Sequence, residues 1–214
     1  MKKGLTEMVF ILDRSGSMQG MENDTIGGFN AMIEKQKAAQ GEALVNTVLF
    51  NGASEVIHDR LPLAKVEPMT RQQYFVSGCT ALADAVGGAI RHIANVHKYI
   101  RTEDVPEHTV FVITTDGMEN ASRIYNVGQV KQMIEQQKKC GWEFLFLGAN
   151  IDAVETAARF GIDEDRAVDY KCDSEGTRLN FTVLGDAIRN LRADCPLEAE
   201  WKSRIEADTR RRGR

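Results

Sequence analysis

The sequence predicts an α/β protein: a mostly parallel, doubly wound six-stranded sheet with one antiparallel edge strand and helices on both faces. Three observations carry this. Continuously apolar runs such as EMVFIL (7–12), HTVFVITTD (108–116) and WEFLFLGAN (142–150) have the character of strands buried on both faces. Between such runs lie segments with apolar residues at helical spacing. Asn51-Gly52, a strong hairpin signal, joins ALVNTVLF to EVIHDRLPL, which makes the second of these antiparallel and an edge.

In chain order, the strand at 7–12 runs directly into Asp13. A helix is expected over 24–39, with Ile26, Phe29 and Ile33 on one face and Asp24 as its cap. The hairpin follows. Residues 82–100 carry a stripe of Leu82, Val86, Ile90, Ile93 and Val96, in which Gly87-Gly88 suggests close approach to the sheet. The strand at 108–116 ends in Asp116, and a helix over 127–139 stops at Gly141. After the strand at 142–150 come a short helix closed by Gly161, a weak strand AVDYKC and a last helix over 175–193 with Phe181, Leu184, Ile188 and Leu191 in register. No repeat or linker divides the chain, so residues 1–195 read as one domain followed by a basic tail, 196–214.

The chain has 214 residues, 43% hydrophobic and 27% charged, as in ordinary globular proteins. The apolar run near the N-terminus is shorter than the ~7–15 residues of a signal core, and nothing approaches the ~20 apolar residues of a membrane span. Four scattered cysteines form no metal-binding or disulfide pattern, so reduced thiols and a cytoplasmic location are expected. Net charge is −4. From Trp201 to Arg214 six Lys/Arg face two Asp/Glu, leaving 21 basic against 29 acidic residues in the remainder. The arginines are the sole hint of nucleic-acid binding, and a solvated, frayed end is the more ordinary meaning.

In open α/β sheets ligands bind beyond the carboxyl ends of the strands. Two buried strands end in aspartate there, Asp13 and Asp116. Alternate positions of DRSGS add Ser15 and Ser17, and Thr80 in SGCTALADAVGG precedes a helix. Two carboxylates and three hydroxyls are hard oxygen donors, suited to Mg²⁺ or Mn²⁺, with Ca²⁺ possible, rather than zinc or copper. Two negative charges neutralise a divalent ion and leave it able to accept one more anionic ligand.

These segments resemble von Willebrand factor type A (vWA) domains: DRSGS matches the Asp-x-Ser-x-Ser part of that family's metal-ion-dependent adhesion site (MIDAS), and the threonine of GCTAL and the aspartate of TTDG match the other two parts. The resemblance covers roughly residues 5–193. It implies Ser15, Ser17 and Thr80 as hydroxyl ligands, with Asp13 and Asp116 binding directly or through water. It also implies a non-enzymatic module that captures a Glu or Asp of a partner protein on the metal, and a Thr80-linked shift of the last helix on capture.

Other readings are weaker. An EF-hand would need glycine at the sixth loop position and a preceding helix. No nucleophile elbow or phosphate-binding glycine pattern is present. A Mg²⁺-dependent hydrolase or phosphotransferase with Asp13 as nucleophile is the alternative, but the second aspartate usual two positions on is here Ser15. His92 and His97 read as surface or packing residues, Cys79 as a small buried loop residue. Met18, Met21, Met118 and Glu119 lie in the site's loops as a possible contact rim.

Overall fold

The computed structural model describes residues 1–213. Strands β1 (Lys2–Asp13), β2 (Glu42–Phe50), β3 (Ser54–Pro62), β4 (Pro106–Thr115), β5 (Trp142–Gly148) and β6 (Ala167–Asp169) form one sheet in the order β3-β2-β1-β4-β5-β6. Every neighbouring pair is parallel except β2 with β3, the hairpin at one edge.

Side chains along β1 alternate between the two faces, as strand geometry requires. Met8, Phe10 and Leu12 meet Phe29, Met32 and Ile33 of α1 (Glu22–Lys37) and Phe181, Leu184 and Ile188 of α5 (Ser174–Arg192). Val9 and Ile11 face Val86, Ile90 and Ile93 of α2 (Leu82–Tyr99), alongside Val130 and Ile134 of α3 (Val127–Lys138) and Ala153 and Ala157 of α4 (Ala153–Arg159). Burial on both faces explains why the strands are apolar without a break.

From β1 the chain moves outward to β2 and β3, then crosses back through α2 to β4 on the other side of β1. β1 and β4 therefore flank the point where winding reverses, and the crevice beyond their carboxyl ends is where such sheets bind ligands. The register sets Leu12 beside Thr114 and Asp13 beside Phe50, which brings Asp13 and Asp116 to the same rim.

Three expectations are corrected. Asp24 is not the cap of α1: the N-cap is Met21, without a side-chain bond, and Asp24 instead accepts a hydrogen bond from Ser174 Oγ at 2.7 Å. The close approach at Gly87 is to the Tyr125 ring rather than to the sheet, for a Cβ there would lie 2.7 Å from it, and Gly88 faces open space. The C-terminal end is not frayed. Residues 199–202 form a 3-10 turn leading into α6 (Ser203–Arg212), whose Ile205 is buried in the core with Leu197. Lys202 Nζ donates to the carbonyls of Glu164 (2.6 Å) and Ala167 (2.8 Å), and Thr209 Oγ1 donates to that of Asp169 (3.2 Å). These contacts cover the free edge of β6, which would otherwise present unpaired backbone groups to other chains. Arg211 and Arg212 pair with Glu175, Asp173 and Asp208, so their charge is largely matched within the fold.

Candidate metal centre

The first strand delivers Asp13 to the rim, 1% exposed, and the chain turns sharply after Arg14. Ser15 N–H donates to Asp13 Oδ1 (2.7 Å), folding the turn back on its own carboxylate. Ser15 Oγ and Ser17 Oγ lie 3.1 Å apart, and Ser17 Oγ donates to Asp116 Oδ1 at 2.5 Å. Four of the five expected residues thus form one bonded chain. Thr80 joins through Gly117: a Cβ there would stand 2.8 Å from Thr80 Oγ1 and 3.3 Å from Ser17 Oγ. Only glycine lets the backbone pass that close to both hydroxyls.

Charge is the site's clearest property. Asp13 and Asp116 (3% exposed) are buried, and among the described residues neither has an ion-pair partner. Arg14, next in sequence to Asp13, is taken up by Glu55 (2.8 Å) and the Gln73 carbonyl (3.1 Å). Burial pushes the Asp13 carboxyl above its ordinary range against the hydrogen bonds from Thr115 and Ser15. Burial likewise raises Asp116, with the nearby Asp13 charge adding to it and the Ser17 hydroxyl opposing. Two buried carboxyls strained toward protonation, lined by three hydroxyls, fit a divalent cation that would relieve both. Among the described residues no three His, Cys, Asp or Glu side chains gather elsewhere as a metal cluster.

Residues that the sequence did not single out hold the site in place. Tyr74 OH donates to the Asp13 carbonyl (2.5 Å), and Thr115 Oγ1 donates to Asp13 Oδ2 (2.5 Å). Ala81 N–H donates to the Asn51 carbonyl (2.7 Å) and Thr80 N–H to Asn120 Oδ1 (2.9 Å), fixing the Thr80 loop from two sides. The Cys172 thiol approaches Asp116 Oδ2 at 3.9 Å and is itself pushed up to about 11, chiefly by burial. Thr115, adjacent to Asp116 in the buried TTD run, was the one partner with a local signal. Tyr74 and Cys172 come from distant segments with none.

Glu119 does hold the loop: its carboxylate accepts from the backbone N–H groups of Ala83, Ala121 and Ser122 and from Ser122 Oγ. Met18 and Met21 are core residues, whereas Met118 is exposed. Cys79 is exposed rather than buried, because the turn that points Thr80 inward points its neighbour out. His92 binds Asp59, and His97 binds the buried Glu7 at the far end of the sheet.

No family model matches the sequence, and no curated protein is similar to it. Solved structures are. The vWF domain of the type V pili tip protein Mfa5 from Porphyromonas gingivalis superposes with a TM-score of 0.64 at 9% identity, over 86% of this chain and 94% of that one. Proximal thread matrix protein 1 (PTMP1) from the mussel byssus, solved with a zinc-occupied MIDAS motif, gives 0.57 at 14% identity over 87% of this chain. A von Willebrand factor type A protein from Catenulispora acidiphila gives 0.56 at 14% identity over 86% of this chain. The chain spans 46% of the mussel protein and 42% of the Catenulispora one.

Proposed function

We propose that this chain, which has the von Willebrand factor type A fold, is a divalent-metal-dependent module that captures an acidic side chain of a partner protein. The observation that carries this is the pair of buried carboxylates, Asp13 and Asp116, with no cation beside them among the described residues and a row of hydroxyls between. Asp13, Ser15, Ser17, Thr80 and Asp116 would hold the ion, Mg²⁺ by preference because short hydroxyls on a tight loop suit a small hard cation. Bound there, the ion supplies a positive, oxygen-seeking centre for an incoming carboxylate.

The protein's own groups prepare that event. Ser15 N–H and Thr115 Oγ1 each bind one oxygen of Asp13 and fix its plane. Ser17 is exposed and marks the mouth through which a carboxylate reaches the centre. Burial of both aspartates keeps water away from the charges, which strengthens every interaction made there.

Binding is favoured over hydrolysis or phosphotransfer because the second aspartate usual two positions after a nucleophilic one is here Ser15, whose N–H and hydroxyl serve Asp13 Oδ1 and Ser17 instead. Nucleic-acid binding through the C-terminal arginines is disfavoured because Arg211 and Arg212 are paired with carboxylates. The partner proteins of PTMP1 and of pilus-tip domains are not carried over; what is shared is the fold.

The test is retention on a surface of immobilised glutamate, in Mg²⁺ and in chelator, for wild type, Asp13→Ala and Thr80→Ala. Wild type is held in Mg²⁺ alone and Asp13→Ala in neither. Thr80→Ala loses retention while Mn²⁺ affinity, measured separately, falls far less. Retention that ignores chelator contradicts the proposal, and equal losses for Thr80→Ala contradict the role of Thr80 in capture.

A further inference from the structure

We propose that Arg212 is a positioning residue of the metal centre: from α6 it fixes the loop that leads from β6 to α5, and Cys172 of that loop steadies Asp116. The inference rests on the metal-capture reading above. It gives a part in that function to the basic C-terminal segment, which lies beyond the metal-site motifs.

Residues 170–173 join β6 to α5, and one face of α6 holds both ends of this loop. Thr209 Oγ1 donates to the Asp169 carbonyl (3.2 Å) just before it, and Arg212 Nη1 donates to Asp173 Oδ2 (2.6 Å) at its end. Residues three apart on a helix are neighbours, so Thr209 and Arg212 act as a pair of clips. The other oxygen of Asp173, Oδ1, accepts from Gly176 N–H (2.8 Å) as the cap of α5. Between these anchors the loop meets the metal centre. Cys172 Sγ lies 3.9 Å from Asp116 Oδ2, while Ser17 holds Oδ1. One oxygen of Asp116 is thus held by the turn after β1 and the other by the loop that α6 fastens.

The Arg212 pairing differs from an exposed ion pair, which contributes little. Its side chain is 21% exposed, and it bridges Asp173 to Asp208, whose side chain is 7% exposed. A guanidinium shared by two carboxylates holds both in a fixed geometry, which a single flexible contact does not. Arg211 reaches Glu175 with both side chains exposed, so it adds less. Without Arg212, Asp173 keeps its cap alone, the end of the loop is released, and Cys172 draws away from Asp116 Oδ2. A ligand carboxylate held at one oxygen turns more freely, and losing such an outer partner weakens metal binding by about 10–100-fold.

The experiment is Mn²⁺ titration, followed by electron paramagnetic resonance, of wild type, Arg212→Ala, Arg212→Lys, Cys172→Ala and the Arg212→Ala/Cys172→Ala double variant. Arg212→Ala should bind about tenfold more weakly, with Arg212→Lys nearer wild type because the charge remains. In the double variant the two losses should not add, since both act through one contact. Alkylation of the metal-free protein, read at each cysteine by mass spectrometry, should quicken at Cys172 in Arg212→Ala and stay unchanged at the exposed Cys79, Cys140 and Cys195. Arg210→Ala, on the exposed side of the same helix, should match wild type in both measurements. Additive losses, or wild-type Mn²⁺ affinity in Arg212→Ala, overturn the positioning role and leave metal capture standing. An unchanged labelling rate at Cys172 overturns the hold of Arg212 on the loop. No Mn²⁺ binding by wild type overturns metal capture itself, and the proposal with it.

Discussion

Ser17 donates its hydroxyl to Asp116 Oδ1 at 2.5 Å, linking the turn after the first strand to the end of the fourth across 99 residues of chain. The bond orients a carboxylate that has no cation beside it among the described residues. It also places a neutral hydroxyl and a charged oxygen together at the same mouth. Several consequences can be measured.

Gly117→Ala puts a methyl group 2.8 Å from Thr80 Oγ1. The methyl group also lies 3.3 Å from Ser17 Oγ, so both hydroxyls must give way together, and displacing both at a tight coordination site should weaken Mn²⁺ binding about tenfold or more, beyond the loss in Thr80→Ala. Far-UV circular dichroism should be unchanged. Mn²⁺ titration followed by electron paramagnetic resonance checks it, and wild-type affinity in the variant would contradict the crowding of these two hydroxyls at the ion.

Asp116→Asn should stabilise the metal-free protein. A carboxyl whose folded pKa is raised carries a cost above the unfolded value of 3.8, relieved as pH falls. At pH 7 in chelator the neutral amide removes that cost, and the melting point rises. In Mg²⁺ the order reverses, since the ion binds wild type more tightly and so stabilises it more. Thermal melts in both buffers decide the matter.

Glu7 supplies acid sensitivity at the opposite end of the sheet. Burial would raise its pKa, but hydrogen bonds and charge from His97 and Arg60 outweigh burial and hold it below the usual 4.5. Its stabilising contribution is therefore present above about pH 4.5 and lost as pH falls through the folded value. Glu7→Gln should cost about 3–5 kcal/mol at pH 7 by leaving its partners unmatched. Urea midpoints between pH 3 and 7 should then fall less steeply for the variant than for wild type.

Ile205→Ala tests whether α6 belongs to the fold. Ile205 is 1% exposed, so the truncation should cost about 2–5 kcal/mol in urea unfolding. Arg210→Ala, on the exposed side of the same helix, should stay within about 0.5 kcal/mol. Equal, negligible effects would mean that the helix contributes nothing to stability.

The sheet was legible because strands buried on both faces leave an unbroken apolar signature, and the hairpin because Asn51-Gly52 is local chemistry. The site was legible where its donors sit at strand ends in short, oxygen-rich turns. What supports it was not. Tyr74 reaches the Asp13 carbonyl from 61 residues away, and no local pattern marks a tyrosine as the holder of a distant backbone oxygen. Glu119 sits in a loop and acts on the N-terminus of α2, a contact set by tertiary folding. In α6 the run of arginines hid a helix whose one deeply buried aliphatic residue, Ile205, is too little for periodicity to register. Gly87 was seen as a close approach, but the partner, Tyr125, lay in a loop whose path the sequence does not specify.

The most direct test of the central claim is calorimetric titration of Mg²⁺ into metal-free wild type and Asp13→Ala. The account predicts a single saturable site in wild type and none in the variant, with Ser17→Ala and Asp116→Asn weakened between them. No binding by wild type, or equal binding by Asp13→Ala, would contradict it.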